Sequence, residues 1–105
     1  MTVGYRQEES LAILSLDRPD KLNAVDPAMI DALHAALDRA EASDEVRVIL
    51  LRGEGRAFSA GFDMDVDAPP EADAEAFWRQ ELQKDFNIIM RFWESPKVTL
   101  SAVHG

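Results

Sequence analysis

Residues Val46 to Leu51 read VRVILL, a short and nearly continuous apolar run. Such a run predicts a strand buried on both faces, and a buried strand obliges the chain to supply neighbours and a covering layer. The rest of the sequence is divided in a way that can do so. Val3–Gln7 and Leu11–Leu16 have the composition of short strands, and Glu8-Glu9-Ser10 makes a turn between them. Asp26-Pro27 is a helix start, with an acid to cap free amides and a proline at the first helical position. Ile30, Leu33, Leu37 and Ala40 follow at helical spacing, and the helix is expected to end near Ser43-Asp44. A second helix is expected from Ala72 to Glu94, where Trp78, Leu82, Phe86, Ile89 and Trp93 form a stripe widened by Phe77, Met90 and Phe92. Pro96 stops it, and Val98–Val103 forms a last strand. Strands separated by helices favour an α/β layer arrangement. The last strand ends the sequence with nothing to cover it, so either another chain supplies the missing layer or this is a fragment.

Composition narrows the function. With 105 residues the chain forms at most one domain. A net charge of −9, with no local lysine–arginine cluster, argues against a nucleic-acid partner. There is no cysteine, hence no disulfide framework or thiolate metal site. No apolar run approaches the roughly 20 residues that cross a bilayer. The N-terminus lacks the basic and apolar segments of a signal peptide, and a cytoplasmic setting fits. His34 on the first helix and His104 at the chain end are too isolated for a metal pair and read as structural or solvated.

The strand runs straight into GEGRAFSAGFDM, residues 53–64, and this stretch admits several readings. As a dinucleotide cradle it lacks the third glycine, since Phe58 stands there, and it has no Gly-Lys-Ser/Thr. As a calcium loop, Asp63-x-Asp65-x-Asp67 is followed by Ala68 and Ala74 where a glycine and a bidentate acid belong; a solvated acidic loop is the simpler reading. As an oxyanion site it offers Ala60-Gly61, small enough for a ligand carbonyl to reach the main chain. A helical turn near Asp63 would then aim further amides at the ligand. A plain glycine turn closing against Phe58 remains equally open from this stretch alone.

Three blocks, taken together, resemble the crotonase superfamily of enoyl-CoA hydratase/isomerase proteins. LDRPDKLNAVD (16–26) resembles the family's Arg-Pro…Asn-Ala segment. VRVILLRGEGRAFSAGFDM (46–64) resembles its strand and oxyanion loop, and PKVTLSAVHG (96–105) its Ala-Val-x-Gly segment. The resemblance implies the α/β, crotonase-like spiral of ββα units, with residues 1–105 as the N-terminal part of one such domain. It implies an acyl-CoA or enoyl-CoA thioester ligand, with CoA as part of the substrate and no separate cofactor or metal. The amide after Ala-Gly, here Phe62 N–H, would donate to the thioester oxygen of an enolate-like intermediate. Lys21, Leu22 and Ala24 would line the CoA path, with Ala60, Gly61, Asp63 and Met64 on its other side. Lys21 would meet a CoA phosphate or else be an exposed loop lysine. Asp63 fits a local structural role better than proton transfer, and the Phe62 ring could wall the acyl pocket.

The same resemblance marks what these residues do not supply. The family's second oxyanion amide and its acid–base glutamates belong to segments that these blocks do not include, and Glu71 or Glu75 would be guesses for such a role. Hydration, isomerisation, dehalogenation and decarboxylation share the framework, and an aromatic residue at position 62 keeps an aryl-acyl or dehalogenase branch open. A non-catalytic acyl-CoA-binding or assembly chain is the competing class. The wide Phe77–Trp93 surface suits burial in an oligomer; by resemblance this would be a homotrimer or a pair of trimers.

Overall fold

The computed structural model describes residues 2–63 and 74–105. Strand β1 (Val3–Glu8) turns at Glu9-Ser10 into strand β2 (Leu11–Leu16), with Glu9 at φ 54. A single 3₁₀ turn (Pro19–Lys21) leads to helix α1 (Pro27–Ala42), which is followed by β3 (Val48–Gly53), α2 (Ala74–Glu94) and β4 (Val98–Ala102). The sheet order is β1-β2-β3-β4, with β1 antiparallel to β2 and the remaining pairs parallel. The expected α/β class and element order are those observed.

Local chemistry sets the boundaries. The Asp26 carboxylate accepts from Met29 N–H at 2.8 Å and Pro27 opens α1, as an acid–proline pair should. At the far end of α1, Lys97 Nζ donates to the carbonyls of Ala40, Ser43 and Val46 at 3.0, 2.5 and 2.7 Å. All three ammonium donors are thereby spent on helix-terminal and turn carbonyls. That clamp also explains where β3 begins. Val46 is buried, but its groups serve the turn, its N–H bonding Ser43 O at 3.3 Å. The ladder starts two residues after the expected Val46, with Val48 opposite Leu11 and Val98, and runs on to Gly53.

The core lies between one face of the sheet and α1. Ala12, Leu14 and Leu16 of β2 and Ile49 of β3 pack with Met29, Ile30, Leu33, Leu37 and Ala40. These include all four helix positions read from the periodicity. Ile13 is also buried but lies outside this cluster, on the other face of β2. Burial of β3 on both faces is only partly realised: Ile49 is fully buried, while Val48 and Leu50 are half-buried.

Helix α2 is the less buried of the two helices. Ile88 is its one buried residue, and Ile88 and Phe92 join the core cluster. The apolar stripe read from the sequence is largely exposed, with Leu82 at 62%, Phe86 at 55%, Ile89 at 54% and Trp93 at 83%. Polar contacts hold α2 against α1. Arg91 donates to His34 Nδ1 and His34 O, both at 3.0 Å, and pairs with Asp38 and Glu41. Because a guanidinium only donates, this contact requires His34 Nδ1 to be the unprotonated nitrogen. Among the described residues no helix is long and apolar enough to cross a membrane.

Candidate functional site

Two loops that leave the same end of the sheet make the site. One follows β2 (residues 17–26) and the other follows β3 (residues 54–63). Asn23 fastens them together. It is fully buried, with φ 56, a left-handed conformation that asparagine tolerates better than most residues. Its Oδ1 accepts from Arg18 N–H at 2.7 Å, and its Nδ2 donates to Glu54 O at 2.8 Å and Ala57 O at 2.9 Å. Its main-chain carbonyl accepts from Ser59 Oγ at 2.8 Å. Gly53 permits the close approach, since a Cβ there would overlap the Phe58 backbone. His104 closes the loop from the β4 side: its carbonyl accepts from Phe58 N–H at 2.8 Å, and its Nε2 lies 2.9 Å from Gly55 O. Both histidines thus have structural contacts.

Within the second loop the amides are used unequally. Ala60 N–H donates to Leu22 O at 2.8 Å, Gly61 N–H to Ser59 Oγ at 3.0 Å, and Asp63 N–H to Val25 O at 2.8 Å. Val25 N–H returns a bond to Gly61 O at 2.9 Å, making a parallel bridge between Val25 and Phe62. In a parallel bridge the residue whose two neighbours are bonded turns its own N–H and C=O away from the partner strand. Phe62 is that residue, and its N–H has no hydrogen-bond partner among the described residues. Gly61 makes the turn into the bridge at φ 103, and a Cβ built there meets nothing within 4 Å. Its requirement is therefore conformational, and the space beside it is open. At Phe62 the backbone is bridged as an extended strand, and the helical turn expected to begin near Asp63 falls on residues outside the described ones.

Phe62 borders a cavity of about 300 Å³ lined also by Leu16, Val25, Leu33, Leu51, Phe58, Ser59, Gly61, Ile88, Ile89 and Phe92. Helix α2 thus contributes one wall and the glycine loop another.

Among the residues expected on a CoA path, Leu22, Ala24, Ala60, Gly61 and Asp63 are brought together by the bonds between these two loops. Lys21 ends the 3₁₀ turn and is exposed. Met64 lies outside the described residues, as do Glu71 and the Asp65–Asp67 part of the calcium reading. Glu75 is on the first turn of α2 and pairs with Arg79 at 2.8 Å. The Asp63 carboxylate accepts from Arg18 Nη1 at 2.8 Å, and the same guanidinium nitrogen lies 3.0 Å from Ala24 O, to which it also donates. The Asp63 hydrogen bond, reinforced by the charges of Asp26 and Asp63 against some desolvation, raises the Arg18 pKa above its usual value. Arg18, Asn23 and Ser59 were not singled out from the sequence. Each acts across 31 to 45 residues of chain, so no local pattern announces it.

The sequence profile of the family described as enoyl-CoA hydratase/isomerase matches residues 6–105. The chain belongs to the enoyl-CoA hydratase/isomerase family. A probable enoyl-CoA hydratase of Rhodobacter capsulatus is 38% identical over 104 residues, covering 99% of this chain and 38% of the relative. A 4-chlorobenzoyl coenzyme A dehalogenase-2 of an Arthrobacter species is 31% identical, covering 98% of this chain and 38% of the relative. The crystal structure of an enoyl-CoA hydratase/isomerase from Xanthobacter autotrophicus Py2 superposes with a TM-score of 0.85 at 40% identity, covering all of this chain and 39% of that one. The chain therefore spans about two-fifths of the length of family members it matches, and its fold is the crotonase α/β arrangement over that span.

Proposed function

We propose that this chain carries the oxyanion-binding part of an acyl-CoA thioester enzyme of the enoyl-CoA hydratase/isomerase type. The observation that carries the reading is the Phe62 N–H: it is the one amide of residues 60–63 without a partner among the described residues, and Phe62 borders an apolar cavity. A fixed amide in a water-poor site stabilises a developing oxyanion without reorganising, and one such donor is commonly worth about 3 kcal/mol of barrier. Phe62 N–H takes the thioester oxygen in this reading. Leu22, Ala24, Ala60, Gly61 and Met64 flank the CoA arm, Lys21 meets a phosphate, and the Asp63 carboxylate holds the wall through Arg18. One amide without an acid or base in reach is a poor catalyst, so the described residues supply binding and polarisation, and the proton-transfer groups come from elsewhere in the assembled enzyme.

The test is the infrared carbonyl band of crotonyl-CoA labelled with carbon-13 at the thioester. Binding is expected to move that band below its position in water. An unchanged band in a saturated complex overturns the proposal.

A dehalogenase-like reading has its own support. Phe58, Phe62 and Phe92 present aromatic walls, and a 4-chlorobenzoyl-CoA dehalogenase is among the relatives. Turnover of 4-chlorobenzoyl-CoA with chloride release by the intact protein would select it over hydration. The exposed apolar stripe of α2 supports the further reading that the working form is a homo-oligomer.

A further inference from the structure

The walls of the cavity beside Phe62 say more about the acyl group than about the thioester. Nine of its eleven lining residues are aliphatic or aromatic, and the other two are Ser59 and Gly61. The Ser59 hydroxyl is already engaged. Its proton goes to Asn23 O at 2.8 Å, and one lone pair accepts from Gly61 N–H at 3.0 Å. The Gly61 N–H is spent on that same bond, and the Gly61 carbonyl accepts from Val25 N–H. Among the described lining residues, Ser59 and Phe62 are the loop residues whose main-chain N–H has no partner, and in the thioester reading the oxygen takes that of Phe62. A polar substituent at the end of the acyl group would therefore leave water for a wall that is predominantly hydrocarbon.

Size points the same way. At about 300 Å³ the cavity has about twice the volume of a 150 Å³ apolar cavity that takes up benzene. A four-carbon acyl group fills little of it and leaves much of the apolar lining without contacts. Phe58 and Phe62 from the loop stand together with Ile88, Ile89 and Phe92 from α2 in its lining, so a flat, bulky hydrocarbon finds walls on more than one side.

We infer that this site selects a bulky acyl group without polar substituents, of the size of a phenylpropenoyl group, in preference to a short or polar one. The inference rests on the thioester reading of the Phe62 amide and adds the specificity of the same site.

The experiment measures dissociation constants for the intact protein by calorimetry with free CoA, crotonyl-CoA, cinnamoyl-CoA and a near-isosteric pair, 4-isopropylcinnamoyl-CoA and 4-carbamoylcinnamoyl-CoA. Cinnamoyl-CoA is expected to bind at least tenfold more tightly than crotonyl-CoA, and the isopropyl compound at least fivefold more tightly than the carboxamide. A smaller ratio in either comparison, with the thioesters still binding better than CoA, overturns the specificity and leaves the thioester site standing. Thioesters that bind no better than free CoA overturn both.

Discussion

At the scale of single residues, Asn23 holds the site together. Its side chain makes three hydrogen bonds from a fully buried position, two of them to carbonyls on the opposite loop. Asn23→Ala strands one N–H and two C=O groups and places alanine in a left-handed conformation. The expected loss of stability is roughly 3 kcal/mol, read from urea unfolding, and a loss below about 1 kcal/mol would contradict the clasp. The open backbone at Gly61 was legible in the sequence because Ala-Gly is a local pattern with a local consequence, whereas the role proposed for the Phe62 N–H came from the family resemblance. Asn23 was not legible, because an asparagine beside a proline-containing turn looks like any turn residue until its partners 31 and 34 positions away are known.

At the scale of elements, the periodic segments could be read directly and the exposed ones could not. Helix α1 gave its start at Asp26-Pro27 and its inward face at Ile30, Leu33, Leu37 and Ala40, since cap and stripe lie within the element itself. The start of β3 was misplaced because apolarity alone does not distinguish a ladder residue from Val46, whose carbonyl belongs to the Lys97 clamp. Helix α2 also carries a titration signature. Asp85 borders a small cleft with Glu81, Trp78 and Leu82 on its own helix and with Val25, Pro27, Ile30 and Asp63 opposite. Desolvation first, and then the Glu81 charge, raise its pKa above the usual value, with Lys84 opposing. A carboxyl with a raised folded-state pKa favours folding when protonated; that contribution is fully present below the unfolded value and is lost as pH rises through the raised one. Asp85→Asn is therefore expected to unfold at a higher temperature than the parent at pH 7. The difference should shrink as pH falls through the raised value and vanish below 3.8, the ordinary carboxyl value. A variant no more stable at pH 7, or a gap that widens in acid, would contradict this account.

At the scale of the whole molecule, the sequence told that the α2 stripe is apolar but not what covers it. Leu82, Phe86 and Trp93 on α2, together with Val98, Leu100 and Val103 in and after β4, remain exposed. A homo-oligomer would use this surface. Sedimentation velocity on the intact protein should show association that the triple change of Leu82, Phe86 and Trp93 to glutamine weakens. The unfolding temperature of the dissociated protein should shift by no more than about 5 °C, since exposed side chains contribute little to the fold. Unaltered association would place the interface elsewhere. The family and the α/β class were legible from three separated blocks; the partnership of loops that makes a cavity beside the Phe62 amide emerges only when the sheet brings those blocks together.

That amide can be tested by itself. Incorporating phenyllactic acid at position 62 replaces the N–H with an ester oxygen and keeps the benzyl side chain, and no hydrogen bond among the described residues depends on that N–H. The substituted protein is expected to fold with the parent's stability, to bind free CoA unchanged, and to leave the carbonyl band of bound crotonyl-CoA unshifted. A variant that shifts the band as the parent does would show that the thioester oxygen is held by something other than Phe62.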